Sequence, residues 1–156
     1  MSTVFTTLET PAGRLLLAAS GGLLTHVTFG HPDPAWRPLP LPEAADQLRA
    51  YFAGERRDFD LPVRPAGTPF QERVWAALDG IPYGQTVTYG ALAERVGAPR
   101  DRIRAVAAAV GANPLLIVRP CHRVVGSDGS LTGYAGGLPA KRHLLTLEGV
   151  LQTALF

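Results

Sequence analysis

A chain of 156 residues, 46% hydrophobic and 18% charged, can bury about two-thirds of its unfolded surface and should fold as one or two globular domains without disulfide or metal staples. No apolar run approaches the ~20 residues of a membrane span, and Met1-Ser2-Thr3-Val4-Phe5 lacks the basic-then-apolar order of a secretory signal, so neither membrane association nor export is expected. The single cysteine, Cys121, excludes an intramolecular disulfide and a multi-cysteine zinc site, and predicts a reducing, cytoplasmic setting with a thiol free to react.

The net charge of +2 conceals an asymmetry. Residues 1–67 carry six Arg against seven acidic residues, whereas residues 68–156 carry nine Lys and Arg against six, so the basic excess lies in the half that holds Cys121. Between residues 95 and 104, Arg95, Arg100, Arg102 and Arg104 stand against Asp101 alone, a density that suits either a phosphate backbone or a solvated helix face.

In chain order, residues 4–10, 14–20 and 23–29 are short β-rich segments split by Pro11-Ala12-Gly13 and Gly21-Gly22, which predicts a three-stranded antiparallel meander. Residues 30–42 contain five prolines and read as an extended connector. From Glu43 the period changes: Ala44, Leu48, Tyr51 and Phe52 mark one face of a helix that Gly54 ends. Residues 59–61 are a candidate further strand. His26 and His31, without partners in the sequence, read as surface or core residues rather than ligands.

Pro62, Pro65 and Gly67 mark a boundary. Beyond it, Thr68-Pro69-Phe70-Gln71 combines a capping Thr, Pro at the first helical position and Gln three residues after the cap. A turn at Ile81-Pro82-Tyr83-Gly84 precedes a second helix over 89–96, capped by Thr88 and ended by Gly97. A third helix follows to about Val110, and the pair with its basic start has the pattern of a DNA-reading helix-turn-helix. Ile103, Val106, Ala107 and Val110 supply its expected inner stripe. Arg104, Ala105, Ala108 and Ala109 then face outward, small enough for a nucleic-acid backbone to approach.

Residues 115–118 are apolar and read as a strand that Pro120 breaks, leaving Cys121 at a strand end. Glycines at 126, 129, 133, 136 and 137 punctuate the following loop, which has neither a phosphate-loop lysine nor a dinucleotide fingerprint and fits close approach to a flat ligand. A last helix over 139–148 ends at Glu148-Gly149. A lone cysteine can be merely a small core hydrophobe. As a nucleophile it needs a base or positive field; His122 and Arg123 are adjacent, and Glu148 is a candidate to orient the imidazole. In an extended segment His122 and Cys121 point apart, so the histidine would act through a turn or a water. These residues suit a Cys-His-Glu hydrolase as well as a transferase.

Pro120-Cys121-His122-Arg123-Val124, with the run from Ile81 to Tyr89, Arg104-Ala105-Val106, Asn113-Pro114 and Gly133-Tyr134-Ala135-Gly136-Gly137, resembles the O6-alkylguanine-DNA alkyltransferases in order and spacing over residues 68–149. Thr10-Pro11-Ala12-Gly13 and Tyr51-Phe52-Ala53-Gly54 are similar, more loosely, to the family's first domain. The resemblance implies an α+β chain: a small ribonuclease-H-like α/β domain with an antiparallel sheet over residues 1–65, and a mainly helical domain over 68–156 with the helix-turn-helix and the cysteine. It implies cofactor-free, metal-free, single-use transfer of the alkyl group from O6-alkylguanine, with O4-alkylthymine a further candidate, to Cys121 of a monomeric protein bound in the minor groove of double-stranded DNA.

By the same resemblance His122 acts through a water and Glu148 orients it. Tyr89 rotates the nucleotide and protonates the leaving base, and Arg104 fills the vacated space beside Arg100, Ala105 and Ala108. Val124, Tyr134, Ala135 and Gly136 line the base pocket, and Asn113 bridges the helix-turn-helix to the cysteine segment. The sequence departs from the family pattern at Ile103, Ala107, Arg119 and Ala135; for Arg119 the ordinary expectation is an ion pair with an acidic neighbour. The rival from another class is a lesion-binding protein that keeps the DNA-reading helices but lacks the cysteine.

Overall fold

Apolar and β-branched residues from Thr3 onward build the expected meander. The computed structural model describes residues 2–64, 66–98 and 102–151, which fall into two units that divide between Ala66 and Gly67. In the first, β1 (Thr3–Thr10) pairs antiparallel with β2 (Gly13–Ser20), and β2 with β3 (Leu23–Thr28). Gly21 and Gly22 join β2 to β3 with φ of 58° and 80°, the positive values that a tight hairpin needs and that glycine alone adopts without cost. Leu15, Leu16, Leu17 and Ala18 are all buried, so the central strand is covered on both faces, and its sequence is a continuous apolar run rather than an alternation.

Two expectations for this unit need correction. The proline-rich segment 30–42 is not only a connector: it contributes β4 (Arg37–Pro38), parallel to β1, giving the order β3-β2-β1-β4. Proline is tolerated there because β4 is an edge strand and needs no donor on its outer side. Residues 59–61 form no strand. Instead Phe59 packs its ring 5.6 Å from that of Tyr51, and the chain pairs with β3 only at Val63, where Leu24 N–H donates to Pro62 O (2.8 Å) and Arg64 N–H to Leu24 O (3.0 Å). The helix α1 (Pro42–Phe52) buries Leu48 and Tyr51 completely and ends at Gly54, φ 76°. His26 stacks on Trp36 at 5.0 Å and bonds Thr25 Oγ1, so it is a packed residue; among the described residues no three His, Cys, Asp or Glu side chains gather to hold a metal.

In the second unit α2 (Pro69–Leu78) starts on the capping box read from the sequence: Gln71 N–H donates to Thr68 Oγ1 (3.1 Å) and Thr68 N–H to Gln71 Oε1 (3.0 Å). The helix-turn-helix is α3 (Tyr89–Arg95), capped by Thr88, and α4 (Ile103–Gly111). The Trp75 indole of α2 donates to Ala109 O of α4 at 2.8 Å, both buried. That contact turns Val106, Ala109 and Val110 inward, an i, i+3, i+4 stripe. The expected faces are therefore corrected: Ala109 is inside, while Ile103, the first residue of the helix, is 36% exposed beside Gly90, Ala93 and Glu94 of α3. Arg104 and Ala108 are exposed and Ala105 partly so.

A short parallel ladder, absent from the sequence reading, pairs β5 (Val87–Thr88) with β6 (Val124–Val125) and so ties the entrance of α3 to the segment after the cysteine. The last helix is α5 (Leu138–Leu147), with Glu148 as its C-cap. No helix among the described residues is long and apolar enough to cross a membrane. Thr68→Ala removes half of the capping box; it is expected to cost about 1 kcal/mol, read as a fall of roughly 2–4 °C in the thermal midpoint.

Candidate active site

The approach to Cys121 is built from turns, not from the strand expected over 115–118. Asn113, buried just past α4, accepts from Leu115 N–H (3.0 Å) and donates to Leu115 O (3.2 Å) and Arg119 O (3.1 Å), so one side chain closes the whole excursion. Within it, Val118 N–H donates to Leu116 O (2.8 Å) around Ile117, whose φ of 72° is a strained γ-turn value for a β-branched residue. Pro120, at φ −79° and ψ 60°, makes an inverse γ-turn in which Cys121 N–H donates to Arg119 O (2.7 Å). Backbone carbonyls spent on Asn113 and on tight turns leave no ladder for a strand. Arg119 makes the ion pair expected of it, Nε lying 3.8 Å from Asp79 Oδ1.

Cys121, His122 and Arg123 form one 3-10 turn. A turn, unlike an extended segment, lets consecutive side chains serve a common site. Cys121 is 3% exposed and lies against a cavity of about 270 Å³, small for a ligand site. Tyr89, at the start of α3, and Ala107, Val110 and Gly111 of α4 form one wall; Thr132 to Ala135 form another. The Tyr89 hydroxyl donates to Thr132 O at 3.5 Å, spanning the two.

Behind the cysteine is a buried charge network. Glu148 Oε2 accepts from His122 Nε2 (2.7 Å) and Arg123 Nη2 (3.0 Å); Oε1 accepts from Arg123 Nε (2.8 Å) and Gly84 N–H (3.3 Å). Arg123 Nη1 continues to Ile81 O at 2.6 Å. The Ile81-Pro82-Tyr83-Gly84 turn thus folds onto this carboxylate, and Gly84, at φ 80°, has room for no Cβ but a tight one, 3.3 Å from Glu148 O. Lys141 of α5 is fully buried, and its ammonium donates to the carbonyls of Val124 (2.7 Å), Thr132 (2.9 Å) and Gly133 (3.2 Å), which joins both ends of the glycine loop.

Electrostatics follow from burial. The Cys121 thiol is pushed up to about 11 by desolvation, while a hydrogen bond from Asn113 and the Lys141 charge pull it back. Burial lowers His122 below its usual value, against the opposing pull of Glu148, and keeps the imidazole neutral. A carboxylate that also binds Arg123 can only accept, so His122 carries its proton on Nε2 and presents Nδ1 as a base. Burial likewise raises Tyr89, keeping its phenol a proton donor.

The structure brings Cys121, Tyr89, Tyr134 and Ala135 to one cavity and places His122 and Glu148 directly behind it. Val124 and Gly136 do not line the cavity: Val124 O accepts from Lys141 instead. Arg104, Ala105 and Ala108 lie together on the accessible side of α4, and Arg100 lies outside the described residues. Arg123 was read from the sequence as a neighbour of the thiol but spends its donors on Glu148 and Ile81. Lys141, Ala107, Val110 and Thr132 were missed. Only Lys141 offered a signal, as the single lysine of an arginine-rich chain, on the face of α5 that also carries Leu144 and Leu145.

Residues 69–150 match the family model described as "6-O-methylguanine DNA methyltransferase, DNA binding domain", and residues 3–65 that of its "ribonuclease-like domain". The chain belongs to the 6-O-methylguanine DNA methyltransferase family. A relative from Mycobacterium tuberculosis, called methylated-DNA–protein-cysteine methyltransferase, is 48% identical over 151 residues, 92% of this chain and 91% of its own. One of the same description from Methanosarcina acetivorans is 47% identical, covering 90% and 95%. The crystal structure of Mycobacterium tuberculosis OGT in complex with DNA is similar with a TM-score of 0.87 at 48% identity, covering 92% of this chain and 91% of that one. An O6-methylguanine DNA methyltransferase from Methanococcus jannaschii is similar with a TM-score of 0.67 at 27% identity, covering 97% and 96%. The two-part methyltransferase architecture, a ribonuclease-like unit and a DNA-binding unit, is therefore that of this chain.

Arg123→Met in this methyltransferase fold leaves Glu148 buried with His122 as its one remaining side-chain partner among those described above. Breaking one side of a buried pair is expected to cost about 3–5 kcal/mol, checked by urea unfolding at constant pH.

Proposed function

We propose that this chain repairs O6-alkylguanine in double-stranded DNA by taking the alkyl group onto its own Cys121. The observation that carries the reading is that both helices of the helix-turn-helix wall the cavity at whose base the thiol lies, so a DNA-reading element and a buried nucleophile share one pocket. Family membership and the DNA-bound relative support the same reaction.

The thiol proton passes toward His122 Nδ1 through a water, the sulfur forms a bond to the alkyl carbon, and the carbon–O6 bond breaks with its electron pair leaving on the base. The Tyr89 phenol returns a proton to the base, giving neutral guanine and a thioether on Cys121. Nothing regenerates the thiol, so each molecule acts once. The thiol is too deep to meet a base that stays within the duplex, so the nucleotide is rotated out into the cavity. Arg104 fills the space vacated, and the small Ala105 and Ala108 let α4 approach the minor groove as a monomer. A cytoplasmic setting suits the free thiol. A lesion binder without transfer is disfavoured by the cysteine itself.

Incubation with a duplex containing O6-methylguanine is expected to move one methyl per protein molecule, with a 14 Da gain at Cys121 by mass spectrometry, about one CH₂, and none for Cys121→Ala. Several turnovers, or transfer by the alanine variant, would overturn the mechanism. Arg104→Ala is expected to slow repair of the duplex about tenfold, the scale of one nucleic-acid contact, while reaction with free O6-benzylguanine stays nearly unchanged; equal losses on both would remove Arg104 from the role.

A further inference from the structure

Among the described residues, two buried side-chain polar atoms have no hydrogen-bond partner: His122 Nδ1 and the Tyr134 hydroxyl. Such atoms are uncommon in folded proteins because each forfeits a desolvation cost, so a pair of them at one site calls for a reason. Both belong to side chains associated with Cys121 and Glu148. His122 adjoins Cys121 in the turn and bonds Glu148; Tyr134 lines the cavity with Cys121, and its phenol feels the charges of both Cys121 and Glu148.

We propose that the Tyr134 hydroxyl is a positioning residue for the proton transfer, donating to the same water that joins the Cys121 thiol to His122 Nδ1. This rests on the alkyl-transfer reading above and assigns to the side chain of Tyr134 a part in it that the pocket-lining backbone does not play. Three of the water's four hydrogen-bonding positions are then filled: it accepts from the thiol S–H and from the Tyr134 O–H, and donates to the Nδ1 lone pair. When the alkyl group moves, the thiol proton ends on Nδ1, the sulfur pair forms the S–C bond and the C–O6 pair leaves with guanine. Tyr134 gives up no proton. Burial first, then the nearness of the Glu148 carboxylate and of Cys121 when it ionises, raises its phenol well above the usual value, so it remains a donor throughout. The other titratable and charged groups around the thiol are Tyr89 from α3, Lys141 and Glu148 from α5 and its end, and Arg123 from the turn.

Tyr134→Phe removes the oxygen and keeps the ring. The rate of Cys121 alkylation by iodoacetamide, followed against pH, is expected to shift about one unit upward in the variant, and single-turnover repair of an O6-methylguanine duplex at neutral pH to fall about tenfold, while affinity for an undamaged duplex stays constant. The His122 ring nitrogens, followed by ¹⁵N NMR, are expected to shift as well. A ring that only packs would leave the pH profile and the nitrogen signals in place, and that result overturns the proposal even if repair slows. Iodoacetamide needs no lesion, so a shifted profile in a protein that transfers no methyl would sink the repair reading and keep the relay.

Discussion

A carboxylate buried at the end of a helix is an unfavourable object twice over, since it is desolvated and sits at the negative end of the α5 dipole. Glu148 occupies that position with no exposed side-chain surface. Four hydrogen bonds from two segments answer the cost: Arg123 twice and His122 once from the cysteine turn, and Gly84 N–H from the 81–84 turn. The consequence runs in two directions. Mechanically, the cysteine turn, the Ile81-Pro82-Tyr83-Gly84 turn and the end of α5 are held to one point. Chemically, an acceptor-only partner fixes which nitrogen of His122 bears the proton, and thereby which nitrogen is free to take one.

Placing the thiol is a separate task, and the backbone performs it under strain. Ile117 holds a left-handed φ that a β-branched residue resists, and consecutive tight turns at 116–118 and 119–121 follow the Asn113 clamp. The clamp also reaches the sulfur, which a hydrogen bond from Asn113 favours in its charged form. One side chain thus supports both the shape of the loop and the state of the thiol, and it sits directly after α4, which forms part of the cavity wall.

What could be read in the sequence was what depends on local chemistry. The capping box at Thr68 and Gln71, the glycine pair between β2 and β3 and the Gly54 stop are decided by residues within a few positions, and each stands as read. The motifs likewise identified Cys121, His122 and Glu148, which the fold brings together across 26 residues. Misreadings arose where tertiary contact chooses between local options. Residues 115–118 are apolar enough for a strand, but Asn113 takes the Leu115 carbonyl and the turn at Ile117 takes that of Leu116; Ala109 turns inward because Trp75 needs its carbonyl; and β4 and β5 are too short for any period to show. Arg123 and Lys141 carry the commonest surface charges, and nothing local distinguishes a cation that will be buried.

Burial also explains how a reactive residue can be stable in the free protein. Desolvation pushes the Cys121 thiol up to about 11, so it is protonated and only weakly nucleophilic at neutral pH. In the proposed alkyl transfer a base accepts the proton while an electrophilic carbon lies against sulfur, and a ligand seated in the narrow cavity meets both conditions. Small electrophiles such as iodoacetamide meet a mostly protonated thiol that is 3% exposed, and react with it slowly at neutral pH. On the proposed reading the cavity that delays the thiolate is also the one that selects its target, and for a thiol that would be spent only once, restraint in the resting state matters as much as speed in the bound one.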